Sequence, residues 1–371
     1  MSTSGQTRVV EACLGQQLLH ALSGSRTAQL GDQYPPLSAI RRKESLSESV
    51  RIEETKPDTV LYLAYGSNLC DETFLGKRGI RPLSSINVVV PDLRLTFDLP
   101  GLPYTEPCFA NSATRSHKGT TLTSYGARTA QVEQHHNDYH KDRWTKGLVG
   151  VVYEVTKADY RTIIATEGGG ASYNDILIDC YPLSSDQHEL VPEYPTSESF
   201  KAHTLFAPAD PTQAPTAQMD APLRRPDPSY AQASARYLKL ITDGAKQRKL
   251  PFEYQRYVDD IRPYTITTPQ QRIGMFVFMS LWGPFLTLVF ALSKAFAGKD
   301  GRSPPWVVWI SAAVFRGVWV SYDGLFKPIF GDGERTMGQD ESRLTMYSNE
   351  KPGHSPNLRA PLLADTTKLP V

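Results

Sequence analysis

The sequence predicts an α+β fold, because it combines several short apolar runs with one helical pair instead of alternating strands with long helices. The strand-like runs lie at 59–64, 86–90, 93–97, 147–155, 176–181 and 203–207. Helical periodicity follows at 230–248, and a second short helix begins at Pro251 and runs through Asp260. These elements predict one domain over residues 58–262, and they disfavour a doubly wound parallel sheet.

Charge and cysteine content narrow the class of protein. The chain carries 40 basic and 39 acidic residues, a net charge of +1, and this balance disfavours nucleic acid as a partner. Its cysteines form no C-x-x-C pair, so a zinc site is not expected and no metal or cofactor is predicted. We expect reduced, buried thiols in a cytosol-like compartment at Cys13, Cys70, Cys108 and Cys180.

Several polar stretches are predicted to be irregular. Residues 1–57 resemble a mobile leader, with a weak helix at 8–22, and residues 331–371 are predicted to be a disordered tail. Three prolines, Pro100, Pro103 and Pro107, predict that residues 98–147 are rich in loops. Within that stretch, 115–146 forms a polar insertion, and 208–228 is a proline-rich loop.

An apolar C-terminal region is predicted to attach the chain to a membrane. Residues 273–293 contain no charged side chain, and a helix of 21 residues would be about 31 Å long, enough to cross a bilayer core. A second stretch, 306–326, has Arg316 at its centre, which favours either a partnered second helix or an interfacial segment. Basic residues outside the two stretches place the preceding domain in the cytosol.

Three motifs contain chemically useful residues, although each alone has an ordinary structural explanation. The sequence Tyr65-Gly66-Ser67-Asn68-Leu69 follows the first strand, where successive N–H groups in a turn can bind an anion. Glu167 follows a short helix and precedes three glycines, and the negative end of a helix dipole raises a nearby carboxyl pKa. Residues 236–260 form an amphipathic helix, a loop and a second helix.

Taken in order, these motifs resemble the γ-glutamylcyclotransferase family. The carrying residues are LYLAYGSNL (61–69), GVVYEVTKADY with EGGGASY (150–173) and YLKLITDGAKQRKLPFEYQ (237–255). The segment GLPYTEPCFAN (101–111) is similar to the fungal branch, which includes cyclotransferases of gliotoxin-type toxin pathways. The resemblance covers roughly 58–262 and leaves the leader and the tail outside.

The resemblance implies a small mixed β-barrel with flanking helices and the release of 5-oxoproline from a γ-glutamyl amine or peptide, without a metal or cofactor. It assigns the general base to Glu167, and a substrate contact to Tyr173, which follows Glu167 by six residues where the family usually has seven. It assigns substrate binding to Tyr62, Leu63, Ala64, Tyr65, Gly66, Ser67 and Asn68. The substrate is expected to be glutathione, a γ-glutamyl peptide or a glutathione-conjugated secondary metabolite.

Other functions remain open at this stage. His135, His136 and His140 suggest a metal site, but no further ligand completes a set, and an exposed polar insertion is the favoured interpretation. Ser67 lacks the G-x-S-x-G context of a nucleophile. A membrane-anchored binding protein that retains the domain without turnover is the remaining alternative, and the presence of Glu167 disfavours it.

Overall fold

A closed barrel and a separate two-stranded hairpin contain the strands of this chain. A computed structural model describes residues 34–48, 58–115, 140–166 except 142, 174–206, and 225–337 except 226, 228, 297 and 299–302. Its strands are β1 (Thr59–Ala64), β2 (Ser84–Val90), β3 (Leu93–Leu102), β4 (Glu106–Thr114), β5 (Leu148–Thr156), β6 (Asn174–Pro182) and β7 (Phe200–Phe206). Its helices are α1 (Ala39–Ser45), α2 (Lys157–Thr166), α3 (Ala235–Gln247), α4 (Phe252–Asp260), α5 (Pro269–Ala295), α6 (Pro305–Ser321) and α7 (Lys327–Phe330).

The barrel has the strand order β1-β5-β2-β6-β7 and closes where β7 meets β1. The pair β1–β7 is parallel, with Tyr62 opposite His203, while the other neighbours are antiparallel. β5 lies between β1 and β2, and nearly all of its side chains are buried, which explains its continuous apolar run. The predicted α+β class and small mixed barrel are therefore confirmed.

The prediction of loops over 98–147 is wrong for its first part, because β3 and β4 form a long antiparallel hairpin there. Pro100 lies opposite Cys108, and the register shifts between Thr96 and Leu99. In a two-stranded sheet each strand has one free edge, so a proline can be accommodated without breaking a ladder on both sides. Proline content alone therefore gave a misleading prediction.

Part of the predicted mobile leader is ordered. The side chain of Ser38 caps α1 by accepting a hydrogen bond from the Arg41 N–H at 3.1 Å. The buried Arg41 guanidinium donates to the Thr59 hydroxyl and carbonyl, both at 3.2 Å, and pairs with Glu48 at 2.7 Å. The composition of residues 1–57 does not predict this ordered segment, because Arg41 finds its partners only in the folded chain. The predicted helix at 8–22 lies outside the described residues.

Helices α2, α3 and α4 lie close to their predicted positions. The Thr156 hydroxyl accepts from the Asp159 N–H at 3.0 Å, as the N-cap prediction requires. α3 begins at Ala235, later than predicted, because the Ser234 hydroxyl caps it by accepting from the Tyr237 N–H. Its predicted inward stripe is buried throughout: Ala233, Tyr237, Leu240, Ile241, Gly244 and Ala245.

The end of the predicted polar insertion packs on α4, so it does not remain exposed throughout. The Trp144 ring lies 5.4 Å from the Tyr257 ring, and the Lys146 ammonium pairs with Glu253 at 2.6 Å. Residues 116–139 of the insertion lie outside the described part of the chain. Of the proline-rich loop, Arg225 and Asp227 are described.

The apolar tail forms a pair of long helices joined to a second hydrophobic core. α5 is 27 residues long and begins with a capping box between Thr268 and Gln271. α6 continues through a π-helical turn, Tyr322–Phe326, directly into α7. The second core also takes Leu102 and Tyr104 from the β3–β4 hairpin, beside Phe278, Leu286, Val318, Trp319, Tyr322 and Phe326.

The predicted disordered tail is ordered at its start. We call residues 331–336 the return segment, because the chain comes back to the hairpin after α7. Asp332 and Glu334 of this segment are buried, and the Glu334 side chain is only 2 % exposed. Residues 338–371 lie outside the described residues.

Candidate active site

The loop that leaves β1, Tyr65–Leu69, is buried and fully integrated into the domain; we call it the exit loop. The Tyr65 hydroxyl donates to the Leu205 carbonyl at 3.1 Å and lies 3.3 Å from the Ser112 hydroxyl. The Asn68 amide donates to the Tyr62 hydroxyl at 2.8 Å. The first group of predicted site residues therefore lies in the end of β1 and in a buried, hydrogen-bonded turn.

Two of the predicted substrate contacts have side chains in the core. Leu63 and Ala64 are buried within β1 and pair with β5. The Leu63 carbonyl accepts from the Thr204 hydroxyl at 3.2 Å. Their side chains support the barrel, while the polar groups of Tyr62, Tyr65 and Asn68 organise the exit loop.

Helix α3 packs against the exit loop. This contact explains why the helical motif at 236–260 accompanies the Tyr65–Leu69 motif. Gly244 allows the α3 backbone to approach Leu69 closely. The Arg248 guanidinium donates to the Leu69 carbonyl at 3.3 Å and pairs with Asp71. The Gln247 side chain accepts from the Asp71 N–H at 2.9 Å. Burial lowers the pKa of Arg248, and the Tyr34 hydroxyl beside it partly offsets this.

The hairpin covers a second side of the exit loop. The Ala110 N–H donates to the Tyr237 hydroxyl at 3.2 Å, and this hydroxyl and the Ala110 methyl group lie against Gly66. The Phe109 ring packs edge-on against Tyr237 with centroids 5.0 Å apart. The exit loop is therefore enclosed by α3 and β4, a relationship that the sequence motifs did not reveal.

A buried aromatic cluster lies beside β1. The Tyr62 ring is 6.0 Å from the Tyr160 ring of α2, which in turn is 5.6 Å from the His203 ring. His203 Nδ1 lies 2.8 Å from a carboxylate oxygen of Asp175. Burial, with Asp175 nearby, raises the pKa of the Tyr160 hydroxyl well above its ordinary value, so this group stays neutral.

Glu167 and Tyr173 lie outside the described residues, but the residues on either side are held firmly. Thr166, the last residue of α2, is buried and accepts a hydrogen bond from the buried Arg78 guanidinium. Arg78 follows the π-helical turn Glu72–Lys77, which begins shortly after the exit loop. On the other side, Asp175 is held by His203.

Sequence reasoning missed several residues that organise this region. Gly244 and Arg248 lie inside the helical motif at 236–260, but helical periodicity does not predict their contacts with the exit loop. Arg78, Asp175 and His203 gave no local signal, because each acts through a partner distant in sequence.

Within the described residues, no group of three or more His, Cys, Asp or Glu side chains is placed so that it could hold a metal ion. His140 pairs with Asp260 at 2.9 Å, while His135 and His136 lie outside the described part. The predicted burial of the thiols is confirmed for Cys70, Cys108 and Cys180. Burial raises the pKa of the Cys108 thiol to about 12.

Comparison with known proteins defines the class. The chain is 31 % identical over 276 residues to the γ-glutamyl cyclotransferase gliK of Aspergillus fumigatus, covering 74 % of this chain and 89 % of that protein. It is 30 % identical over 300 residues to aclK, a γ-glutamyl cyclotransferase of Aspergillus oryzae, covering 78 % and 96 %. The relatives are enzymes rather than binding modules. The chain belongs to the γ-glutamyl cyclotransferase family and is an enzyme of this class.

The family likeness extends into the tail, which the sequence motifs had left outside. Residues 268–329 match a family described as the AclK C-terminal domain. A solved γ-glutamyl cyclotransferase is 19 % identical, with a TM-score of 0.35, and the match covers 57 % of this chain and 92 % of that one. The tail helices α5 and α6 therefore correspond to a domain described in a relative.

Proposed function

We propose that the chain converts a γ-glutamyl amine or peptide into 5-oxoproline and a free amine. The substrate α-amine attacks its own γ-carbonyl carbon, a new C–N bond closes the five-membered ring, and the original γ-amide C–N bond breaks. Glu167 accepts the proton of the attacking amine and returns one to the leaving amine. Both reactants belong to one molecule, so the main task of the protein is to hold a folded conformer.

The observation that supports this proposal is that the exit loop is buried and fixed by contacts with α3 and β4. A site that binds one folded substrate conformer needs groups fixed in this way. The Arg78–Thr166 hydrogen bond links the segment after the exit loop to the residue before Glu167. Backbone N–H groups of Gly66, Ser67 and Asn68 are proposed to bind either the substrate α-carboxylate or the developing oxyanion.

The proposed substrate is glutathione or another γ-glutamyl peptide. A glutathione-conjugated secondary metabolite is the second candidate, because segment 101–111 is similar to the fungal branch and the matched relatives are fungal proteins. Tyr173 is proposed as a further substrate contact. The reaction chemistry is the same for both candidates, so they differ only in the amine that leaves.

We also propose that the tail helices associate with a membrane and leave the catalytic region in the cytosol. Within the described residues, one helix stretch, Pro269–Ser293, is long and apolar enough to cross a bilayer. A core helix of a soluble protein would be mostly buried, whereas only 17 % of this apolar window is buried. Large exposed side chains follow one another along α5: Ile273, Phe276, Val277, Leu281, Phe285 and Leu288.

The second apolar helix, α6, is less suited to crossing the membrane than α5. Arg316 lies in the C-terminal half of α6 and is exposed. A charge at the centre of a bilayer costs about 2.5–3.5 kcal/mol or more, which favours a partnered or interfacial position for α6. Trp306 and Trp309 near its start are also exposed, as is common at the membrane–water interface.

The proposed reaction is tested by measuring 5-oxoproline release by the purified full chain. The panel contains a γ-glutamyl dipeptide, glutathione and glutathione adducts of apolar thiol-reactive compounds. We expect Glu167→Gln to abolish turnover while substrate binding and thermal stability stay close to those of the unmodified protein. Glu189→Gln, at an exposed glutamate, is the matched control and should retain activity.

The results of this assay distinguish the two substrate candidates, the role of Glu167 and a non-catalytic binding protein. Preference for an adduct over glutathione would support the secondary-metabolite substrate. Full activity of the Glu167→Gln protein would remove Glu167 from its proposed role. Binding of a γ-glutamyl compound by the unmodified protein with no release of 5-oxoproline from any substrate would favour the non-catalytic binding alternative.

A further inference from the structure

The return segment, residues 331–336, is hydrogen-bonded to the β3–β4 hairpin, to the chain before α3 and to Tyr322 at the end of α6. One Asp332 carboxylate oxygen accepts from the Tyr322 hydroxyl at 3.1 Å and from the Glu334 N–H at 2.7 Å. The other accepts from the Tyr230 hydroxyl and lies 3.1 Å from the Lys327 ammonium. Together with its burial, these donors fix the Asp332 side chain as an anchor for the segment.

The return segment holds the tip of the β3–β4 hairpin. The Tyr104 N–H donates to the Gly333 carbonyl at 2.7 Å, and the Tyr104 hydroxyl donates to the Gly331 carbonyl at 2.9 Å. Tyr104 has a positive φ of 66°, which an ordinary side chain adopts only when its surroundings enforce it. A Cβ on Gly333 would lie 2.9 Å from the Tyr104 ring, so the two groups pack with no space between them.

The return segment also holds the chain that leads into α3. The Gln232 N–H donates to the Glu334 carbonyl at 2.9 Å, and the Thr336 N–H donates to the Gln232 side chain at 2.6 Å. Ser234, two residues further on, caps α3 and also donates to Glu106 at 2.7 Å. The hairpin and α3 are therefore joined to each other and to the return segment at the same end.

Further along their lengths, the same two elements enclose the exit loop. β4 reaches it through Ala110 and Ser112, and α3 reaches it through Tyr237 and Gly244. From this geometry we infer that the return segment positions the substrate site. Asp332 and Tyr104 are positioning residues, which act by fixing the hairpin and α3 against the exit loop. The tail is accordingly a structural part of the catalytic unit and does more than attach it to a membrane.

The inference is tested with the full chain by hydrogen–deuterium exchange together with kinetics; only the kinetic part rests on the proposed function. Asp332→Asn keeps the side-chain volume and removes the charge, and Tyr104→Phe removes one hydroxyl. We expect Asp332→Asn to raise amide exchange at least threefold in peptides covering 64–70 and 106–114, with no change in β5. The kcat/KM for 5-oxoproline release should fall at least tenfold.

Tyr104→Phe should also raise amide exchange in the same peptides, by a smaller factor. If the Asp332→Asn protein does not fold, the exchange of the Tyr104→Phe protein tests the inference. Asp259→Asn, at an exposed aspartate that pairs with Lys246, is the matched control and should leave both measurements unchanged. A rise in exchange spread evenly over the chain, or unchanged exchange at 64–70 and 106–114, would overturn the inference. Absence of turnover in the unmodified protein would instead contradict the proposed function, and exchange would still decide the positioning role.

Discussion

Gly244 of α3 and Leu69 of the exit loop are in contact through their backbones. A Cβ on Gly244 would lie 2.5 Å from the Leu69 Cβ and 2.6 Å from the Leu69 carbonyl carbon. Real Cβ atoms do not approach other atoms so closely, so any other residue at position 244 must displace the exit loop or the helix. The position of the exit loop relative to α3 therefore depends on the absence of one methyl group.

We expect Gly244→Ala to lower kcat/KM at least tenfold. Alanine favours the helix by up to about 1 kcal/mol, but the steric overlap should cost about 1–3 kcal/mol and shift the exit loop. Steady-state kinetics and denaturant unfolding measure the two effects. Gly283→Ala in α5 is the matched control, because outside its neighbours and the local helix backbone no atom lies within 4 Å of the added Cβ. Kinetics and stability of Gly244→Ala equal to those of the unmodified protein would show that this contact does not matter.

We expect Tyr62→Phe to weaken the exit loop by removing the hydroxyl that accepts from Asn68 at 2.8 Å. The free energy of unfolding should fall by about 1 kcal/mol, the usual net value of one hydrogen bond, and kcat/KM should fall several-fold. Urea denaturation and the 5-oxoproline assay measure these changes. Tyr194→Phe, at a tyrosine that is 65 % exposed, should change neither. Loss of stability with unaltered kcat/KM would limit Tyr62 to a packing role.

The three described thiols should resist alkylation in the native protein at pH 8. In a Cys13→Ser background, iodoacetamide should label Cys70, Cys108 and Cys180 only after denaturant is added, because burial raises the pKa of each thiol and excludes the reagent. Mass spectrometry of the labelled peptides measures this. Rapid native labelling of Cys108 would contradict its position in the core.

The same thiols predict how stability depends on pH. The pKa of Cys108 rises on folding from 9.0 to about 12, so the unfolded chain loses this proton first as the pH increases. The contribution is fully present below pH 9 and is lost as the pH approaches 12, so the free energy of unfolding should fall across this range. Cys108→Ala should reduce the slope measured by urea denaturation at pH 9–11. An unchanged slope would exclude this thiol as a cause.

We expect the exposed face of α5 to determine membrane association. The unmodified protein should remain in the pellet after carbonate extraction, and Phe276→Glu combined with Phe285→Glu should release it, because charges are costly in hydrocarbon. Leu190→Glu, at a leucine that is 67 % exposed outside the tail, is the control and should remain in the pellet. Truncation before Pro269 would also remove the return segment, so point substitutions are the cleaner test. Recovery of the unmodified protein in the supernatant would contradict the proposal.

The parts of the fold that could be predicted from the sequence are those with local causes. The apolar run of β5 predicts a strand, and the Thr156 cap predicts the start of α2. The exit loop could be located as a turn after β1 because of its Gly-Ser-Asn sequence. The β3–β4 hairpin was missed, because prolines in a two-stranded sheet carry the same local signal as prolines in a loop.

The sequence by itself determined the strands of the barrel, the helical pair, the apolar tail and the order of the motifs, because short-range periodicity and turn chemistry are encoded in neighbouring residues. Only the tertiary structure decided which polar residues are buried and what they hold. Arg41, Asp332 and Glu334 look like solvated residues of a leader and a tail, yet each is buried against a partner far away in the chain, Glu154, Tyr230 and Arg225 respectively. The physical reason is that a charge can be buried only when ion-pair and hydrogen-bond partners offset its desolvation. Those partners come together only in the folded chain, so the neighbouring sequence does not reveal them.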